Sequence, residues 1–222
     1  MLFCCFFSYS QNLIYRVKAD FSIIQSNNSD DVIQSGTLYY DLNNNLLVYN
    51  MFFPEKIDWV IHDTSFYTVV DEKIISVFTV PEINKENIIH LAITNNLNDF
   101  GLSKIDFYDI VSVDSGEDEM IITSYKPNIK KEELDLSEIL ISNKKNLLYG
   151  VVFLSNEKDI LKKIIIEDYT KINGVNLPSR ILEINSSDSL DKYKLTKFTN
   201  FILNENKVEN EKFYNYNINL SR

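Results

Sequence analysis

The chain has 222 residues, 45% of them hydrophobic, which fits one domain or two small ones and excludes wholesale disorder. Thirty-two acidic residues against 22 basic give a net charge of −10, so phosphate backbones and anionic lipid surfaces repel it and nucleic-acid binding is disfavoured. Only five Gly and four Pro exclude collagen-like or glycine-looped architecture.

The first residues are apolar, Leu2-Phe3-Cys4-Cys5-Phe6-Phe7, followed by Ser8-Tyr9-Ser10. Small residues at −3 and −1 before Gln11 resemble the tail of a secretory signal peptide, although a basic leading region is missing. A short buried strand is the alternative. Phe3 before Cys4 excludes a lipobox, and everything after Phe6 is free of cysteine, so the folded domain is expected to hold no disulfide framework or thiolate metal site. Residues 1–10 are therefore expected to be a signal-peptide remnant and 11–222 one exported domain. No later apolar run approaches the roughly 20 residues of a membrane span.

From Leu13 the period is two. Leu13 to Ile24 places Tyr15, Val17, Ala19, Phe21 and Ile23 on one face and Arg16, Lys18, Asp20 and Ser22 on the other. Further strands are predicted over Val32–Tyr40, Leu46–Phe53, Ile57–Ile61, Phe66–Val70 and Ile74–Val80. Their short polar connections make a meander of hairpins. After Pro81 the period lengthens. Residues Asn84–Asn98 space Ile88, Leu91, Ala92 and Asn95 as a helix, with Asn84 as N-cap and Gly101 as stop. A short helical turn is expected around Ser103–Asp106. Strands resume over Phe107–Val113, Glu119–Tyr125, Ser137–Ser142, Leu147–Leu154, Ile160–Glu167, Ser179–Ile184 and Tyr193–Phe201. Asn128–Asp135 reads as a charged loop, and the tail from Asn204 as a docked edge strand or a frayed end.

About a dozen antiparallel strands around one helix predict a mainly β, single-domain, incomplete antiparallel barrel enclosing a helical lid or plug. A two-sheet sandwich with a helix at one end is the alternative.

Three segments carry a family likeness. They are Ser35-Gly36-Thr37-Leu38-Tyr39-Tyr40, Asn45-Leu46-Leu47-Val48-Tyr49-Asn50-Met51-Phe52-Phe53-Pro54, and Trp59-Val60-Ile61-His62-Asp63-Thr64-Ser65-Phe66-Tyr67. Together with Ala19-Asp20-Phe21-Ser22 and the later Tyr169–Pro178 stretch, this order resembles the LolA-like outer-membrane lipoprotein-sorting proteins. The resemblance implies a half-barrel with a helical lid and an apolar cavity for acyl chains. It also implies a periplasmic location, and as partners an acylated lipoprotein or other lipid, an inner-membrane ABC-type exporter and an outer-membrane acceptor. A monomer without cofactor, metal or nucleic acid is expected. Where such carriers place an arginine, this chain has Asp41, Leu42 and Val48, and the Asp-Gly turn is Asp63-Thr64.

Catalytic constellations are missing from the sequence, so the chain reads as a non-enzyme. His62 and His90 have no ligand-like spacing, and neither a phosphate loop nor a Gly-x-Ser-x-Gly elbow is present. Asp114, Glu117, Asp118 and Glu119 around Gly116 fit a solvated hairpin tip better than a calcium loop. The informative pattern is an apolar stripe: Leu38, Tyr40, Leu47, Tyr49, Met51, Trp59, Ile61 and Phe66, with Ile88, Leu91 and Ala92 of the helix. Two readings stand, a core filled by its own side chains and a cavity that binds acyl chains. A sensor or protein-interaction module on the same half-barrel is the alternative function.

Overall fold

The computed structural model describes residues 13–27, 30–79, 87–128, 135–186 and 192–217. The expected leader remnant 1–10, with both cysteines, lies outside these residues, as do Asn84 and most of the charged loop 128–135. The described chain forms one antiparallel sheet of 13 strands. In chain order they are β1 (Arg16–Asn27), β2 (Asp30–Asp41), β3 (Leu46–Phe53), β4 (Ile57–His62), β5 (Ser65–Val70) and β6 (Lys73–Thr79). After the helix α1 (Ile88–Ile93) come β7 (Tyr108–Ser115), β8 (Met120–Pro127), β9 (Glu138–Lys144) and β10 (Leu147–Leu154). The sheet ends with β11 (Ile160–Ile172), β12 (Val175–Asn185) and β13 (Lys192–Leu203), and α2 (Glu211–Tyr214) follows.

The spatial order runs from β6 inward to β1, then from β13 outward to β7. Two meanders are thus joined at their inner ends, where β1 pairs antiparallel with β13. The outer edges, β6 and β7, do not pair with each other, so the barrel stays open along a seam. Three of the hairpins close in two residues with both φ angles positive: 71–72, 145–146 and 173–174. Such turns match the right-handed twist of their strands.

Alternation decides what each face carries. Val17, Ala19, Phe21 and Ile23 of β1 share the concave face with Leu38, Tyr40, Leu47 and Met51, and with Ile139, Ile141, Ile164, Ile166, Ile181 and Phe198 from the second meander. The opposite face of β2–β5 holds a smaller cluster, Tyr39, Leu46, Val48, Val60 and Val69, closed by Tyr214 of α2. Arg16 fixes α2 there. Its guanidinium reaches Asp41 at 2.7 Å and Glu211 at 2.5 Å, and lies 4.4 Å from the Tyr214 ring. The tail is therefore neither an edge strand nor a frayed end over 208–217. It is a short 3-10 turn and helix docked by aromatic burial on the convex face.

Two further expectations are corrected. The helix predicted over 84–98 is six residues, and its N-cap is Asn87, whose side-chain oxygen accepts from the amides of Ile89 and His90. It ends where Asn95 turns left-handed, with Asn96 N–H on the Leu91 carbonyl and Asn95 N–H on that of Ala92. This is a Schellman stop with Asn in place of Gly. The apolar pattern continues past it because Leu97, Phe100 and Leu102 fold back into the same core. Likewise β11 continues beyond the predicted end at Glu167 to Ile172, and β12 begins at Val175 rather than Ser179, because Asn173-Gly174 closes a two-residue hairpin between them.

Gly36 sits where the register of β2 on β3 shifts. A Cβ there would lie 2.2 Å from the Asn50 carbonyl oxygen and 2.8 Å from the Met51 Cα, both backbone atoms. Gly36→Ala must push β3 away. Urea denaturation is expected to show a loss of about 1–3 kcal/mol with an unchanged m-value.

Candidate functional site

The concave face is not filled by its own side chains. A cavity of about 700 Å³ lies between α1 with the turns after it and the inner face of the sheet. This falls within the roughly 300–1,000 Å³ range of small-molecule sites. One wall is Leu47 and Tyr49 of β3 with Ile61 of β4, and the α1 side adds Asn87, Ile88, Ile89 and Phe100. The larger wall comes from the second meander. Phe153, Leu161, Lys162 and Ile164 stand on β10 and β11, Ile181 and Glu183 on β12, and Lys194, Thr196 and Phe198 on β13; Tyr108 and Leu136 complete the lining.

Each inward position follows from strand period and register. Glu183 lies opposite Ile164 on one neighbour and Lys194 on the other; Ile181 lies opposite Ile166 and Thr196. Glu183 Oε1 takes Lys194 Nζ at 2.9 Å and Oε2 takes Lys162 Nζ at 3.0 Å. Burial works to raise the Glu183 pKa, yet the two ammonium groups outweigh it and hold the carboxyl below its ordinary range. Burial first, and the Glu183 charge second, push the Tyr49 phenol upward, so Tyr49 stays neutral across the cavity. Its ring meets Phe21 edge-on at 5.1 Å.

The predicted stripe divides in the structure. Leu47, Tyr49, Ile61 and Ile88 line the cavity. Leu38, Tyr40, Met51 and Leu91 are buried in the core beside it, with Trp59 and Ala92 packed against that core. Phe66 stacks on Phe78 at 4.5 Å, with Trp59 at 6.0 Å, toward the β6 edge. The sequence reading missed Lys162, Glu183, Lys194, Phe153, Ile181 and Phe198. Their alternation was visible, but which face turns inward depends on strand pairings between distant segments.

Neither histidine lines the cavity. His62 is partly exposed beside Asp63, with 3.6 Å between ring and carboxylate. His90 is buried, and its Nδ1 lies 2.5 Å from the Tyr40 hydroxyl, which ties α1 to β2. Among the described residues no group of three His, Cys, Asp or Glu could hold a metal, and no helix is long and apolar enough to cross a membrane.

No protein-family model matches the sequence, and no curated protein matches it significantly. Solved structures do. A DUF1329 family protein from Desulfovibrio piger superposes with a TM-score of 0.62 at 12% identity, covering 95% of this chain and 93% of the other. A LolA superfamily protein from Nitrosomonas europaea gives 0.59 at 11% identity, covering 92% and 91%. An outer membrane lipoprotein-sorting protein domain from Vibrio parahaemolyticus gives 0.61 at 12% identity, covering 90% of each. At these identities the likeness is one of fold: the chain has the LolA-like half-barrel along nearly its whole length.

Burial lowers the His90 pKa from its ordinary value of 6.5. The unfolded chain then binds this proton at a higher pH than the folded one. Stability from the neutral imidazole is complete above about pH 6.5 and declines as pH falls below it. Chemical denaturation across pH 7.5 to 5.5 should show that decline, and His90→Gln should flatten it.

Proposed function

We propose that this protein is a periplasmic carrier that shelters the acyl chains of lipoproteins, or of another lipid, in its concave cavity for delivery to the outer membrane. One observation carries the reading: a half-barrel of LolA-like fold keeps about 700 Å³ of space lined mainly by aromatic and aliphatic side chains. A cavity of that lining offers acyl chains what water does not. Each buried methylene contributes roughly 0.8 kcal/mol, so about ten supply on the order of 8 kcal/mol before ordering costs. That suffices to hold a chain in transit while leaving release to a better acceptor within reach. Binding without bond-making fits the site's chemistry, in which aromatic and aliphatic side chains predominate and neither histidine stands in the lining. Partners of the proposed cycle are an inner-membrane exporter of the ABC type and an outer-membrane acceptor.

The residues of the predicted stripe that reach the cavity, Leu47, Tyr49, Ile61 and Ile88, would contact the chains directly. Those beneath them, among them Leu38, Tyr40, Met51 and Leu91, would hold the walls apart. α1 is the lid in this reading, pinned by the Asn87 cap and the Tyr40–His90 bond.

The test is titration of the purified chain with a fluorescent fatty-acyl probe. Saturable binding is expected. Ile61→Trp, which fills part of the cavity from a half-buried position, should weaken it about tenfold, equivalent to about 1.4 kcal/mol, while the melting temperature changes little. Absence of saturable binding by the folded chain would overturn the carrier reading.

A further inference from the structure

Three charged side chains stand in the cavity lining, and they do not cancel. Lys162, Glu183 and Lys194 come from three adjacent strands, β11, β12 and β13. Each oxygen of the single carboxylate engages one ammonium, at 3.0 Å to Lys162 and 2.9 Å to Lys194. Two cations thus share one anion, leaving one positive charge on a mainly apolar wall of a chain whose net charge is −10. One lysine would have sufficed to neutralise Glu183. The second lysine is therefore surplus to that carboxylate and is available to a further anion.

Position reinforces the point. The lysine side chains are 32% and 38% exposed, whereas Ile89, Phe100, Ile181 and Phe198 in the same lining are buried. The charge surplus therefore sits toward solvent and the apolar lining lies deeper. Another donor in the lining is unspent. Asn87 uses its side-chain oxygen to cap α1, and its Nδ2 is fully buried without a hydrogen-bond partner.

We propose that the cavity takes an acyl chain bearing one anionic head, whose oxygens are bound by Lys162 and Lys194 while the chain lies along Ile164, Ile181 and Phe198. This rests on the carrier reading and narrows its cargo. The shared chemistry is anionic oxygen on ammonium, met by the carboxylate of a fatty acid or the phosphate of a lysophospholipid. An uncharged glycerol ester leaves the surplus charge without a partner.

The experiment is displacement of a fluorescent acyl probe from the full chain by three competitors of equal chain length: a fatty acid, a lysophosphatidic acid and a monoacylglycerol. At least one anionic competitor is expected to bind about tenfold more tightly than the monoacylglycerol, and which one does so identifies the head group. Lys162→Gln with Lys194→Gln should abolish the preference, read as the ratio of anionic to monoacylglycerol affinity in the same variant. Because that pair strands Glu183, the triple variant with Glu183→Gln is measured beside it, with circular dichroism to verify folding. Lys194→Arg should retain the preference. Equal binding of charged and uncharged competitors, or a preference that survives neutralisation in a folded variant, would overturn this inference and leave the carrier reading standing. Failure of every acyl ligand would instead remove the carrier reading itself.

Discussion

The architecture depends on the antiparallel pairing of β1 with β13. It places both ends of the sheet-forming chain at the centre of the sheet, register Val17 to Leu203 through Ser26 to Tyr193. Each half can then grow outward only as a meander of short hairpins, and the two outer strands finish on opposite edges. A single connection, residues 80–107, must bridge them. Its described part places α1 against β12 on the concave side, where Ile89, Leu91, Leu97, Phe100 and Leu102 join the core of the sheet. The helix cannot also occupy all the space that a sheet of this width encloses. Connectivity and cavity are consequences of the same pairing.

The two faces use charge in opposite ways. On the convex side Arg16 serves two carboxylates, Asp41 and Glu211, and its guanidinium plane lies over Tyr214. Its fork geometry suits that task, since it can address several acceptors and an aromatic ring together. The result is a closed fastening for the C-terminal segment, reinforced where Tyr216 donates to Asp58 at 2.7 Å. On the concave side the ratio is inverted, with two lysines to one glutamate, and the groups border space rather than a packed helix. Asp41 illustrates the contrast. It occupies one of the places where an arginine was expected from the family likeness, and it points to the outer fastening instead of the cavity.

Local pattern carried most of the fold. Every strand was visible as a period-two run, and β3 and β10 were bounded as they stand, because alternation and turn residues act over a few neighbours. The helix was overextended because Leu97 and Phe100 keep the spacing of a helix while the backbone has already reversed at Asn95. The docking of α2 was hidden because Phe213, Tyr214 and Tyr216 find their partners on β2–β5, far away in sequence. The site was half legible for the same reason. Aromatic density drew attention to β2–β5, yet β10–β13 supply the larger wall. The meeting of Lys162, Glu183 and Lys194 required three strands to be brought into register.

The unpaired seam between β6 and β7 gives the half-barrel a mechanical property that a closed barrel lacks. When every strand is paired on both sides, girth is set by strand number and shear, and changes only if hydrogen bonds break. Among the described residues the sheet ends at two edges, β6 and β7, that do not pair with each other. Their outward residues, such as Ile75 on one and Val113 on the other, remain exposed. The arc length is still fixed by thirteen hydrogen-bonded strands, but the width of the seam depends on how tightly the sheet curls over the side chains packed on its concave face. The wall acts as a split ring, stiff along its strands and compliant around its hoop, and it can widen or narrow by degrees without losing a single rung of its ladder.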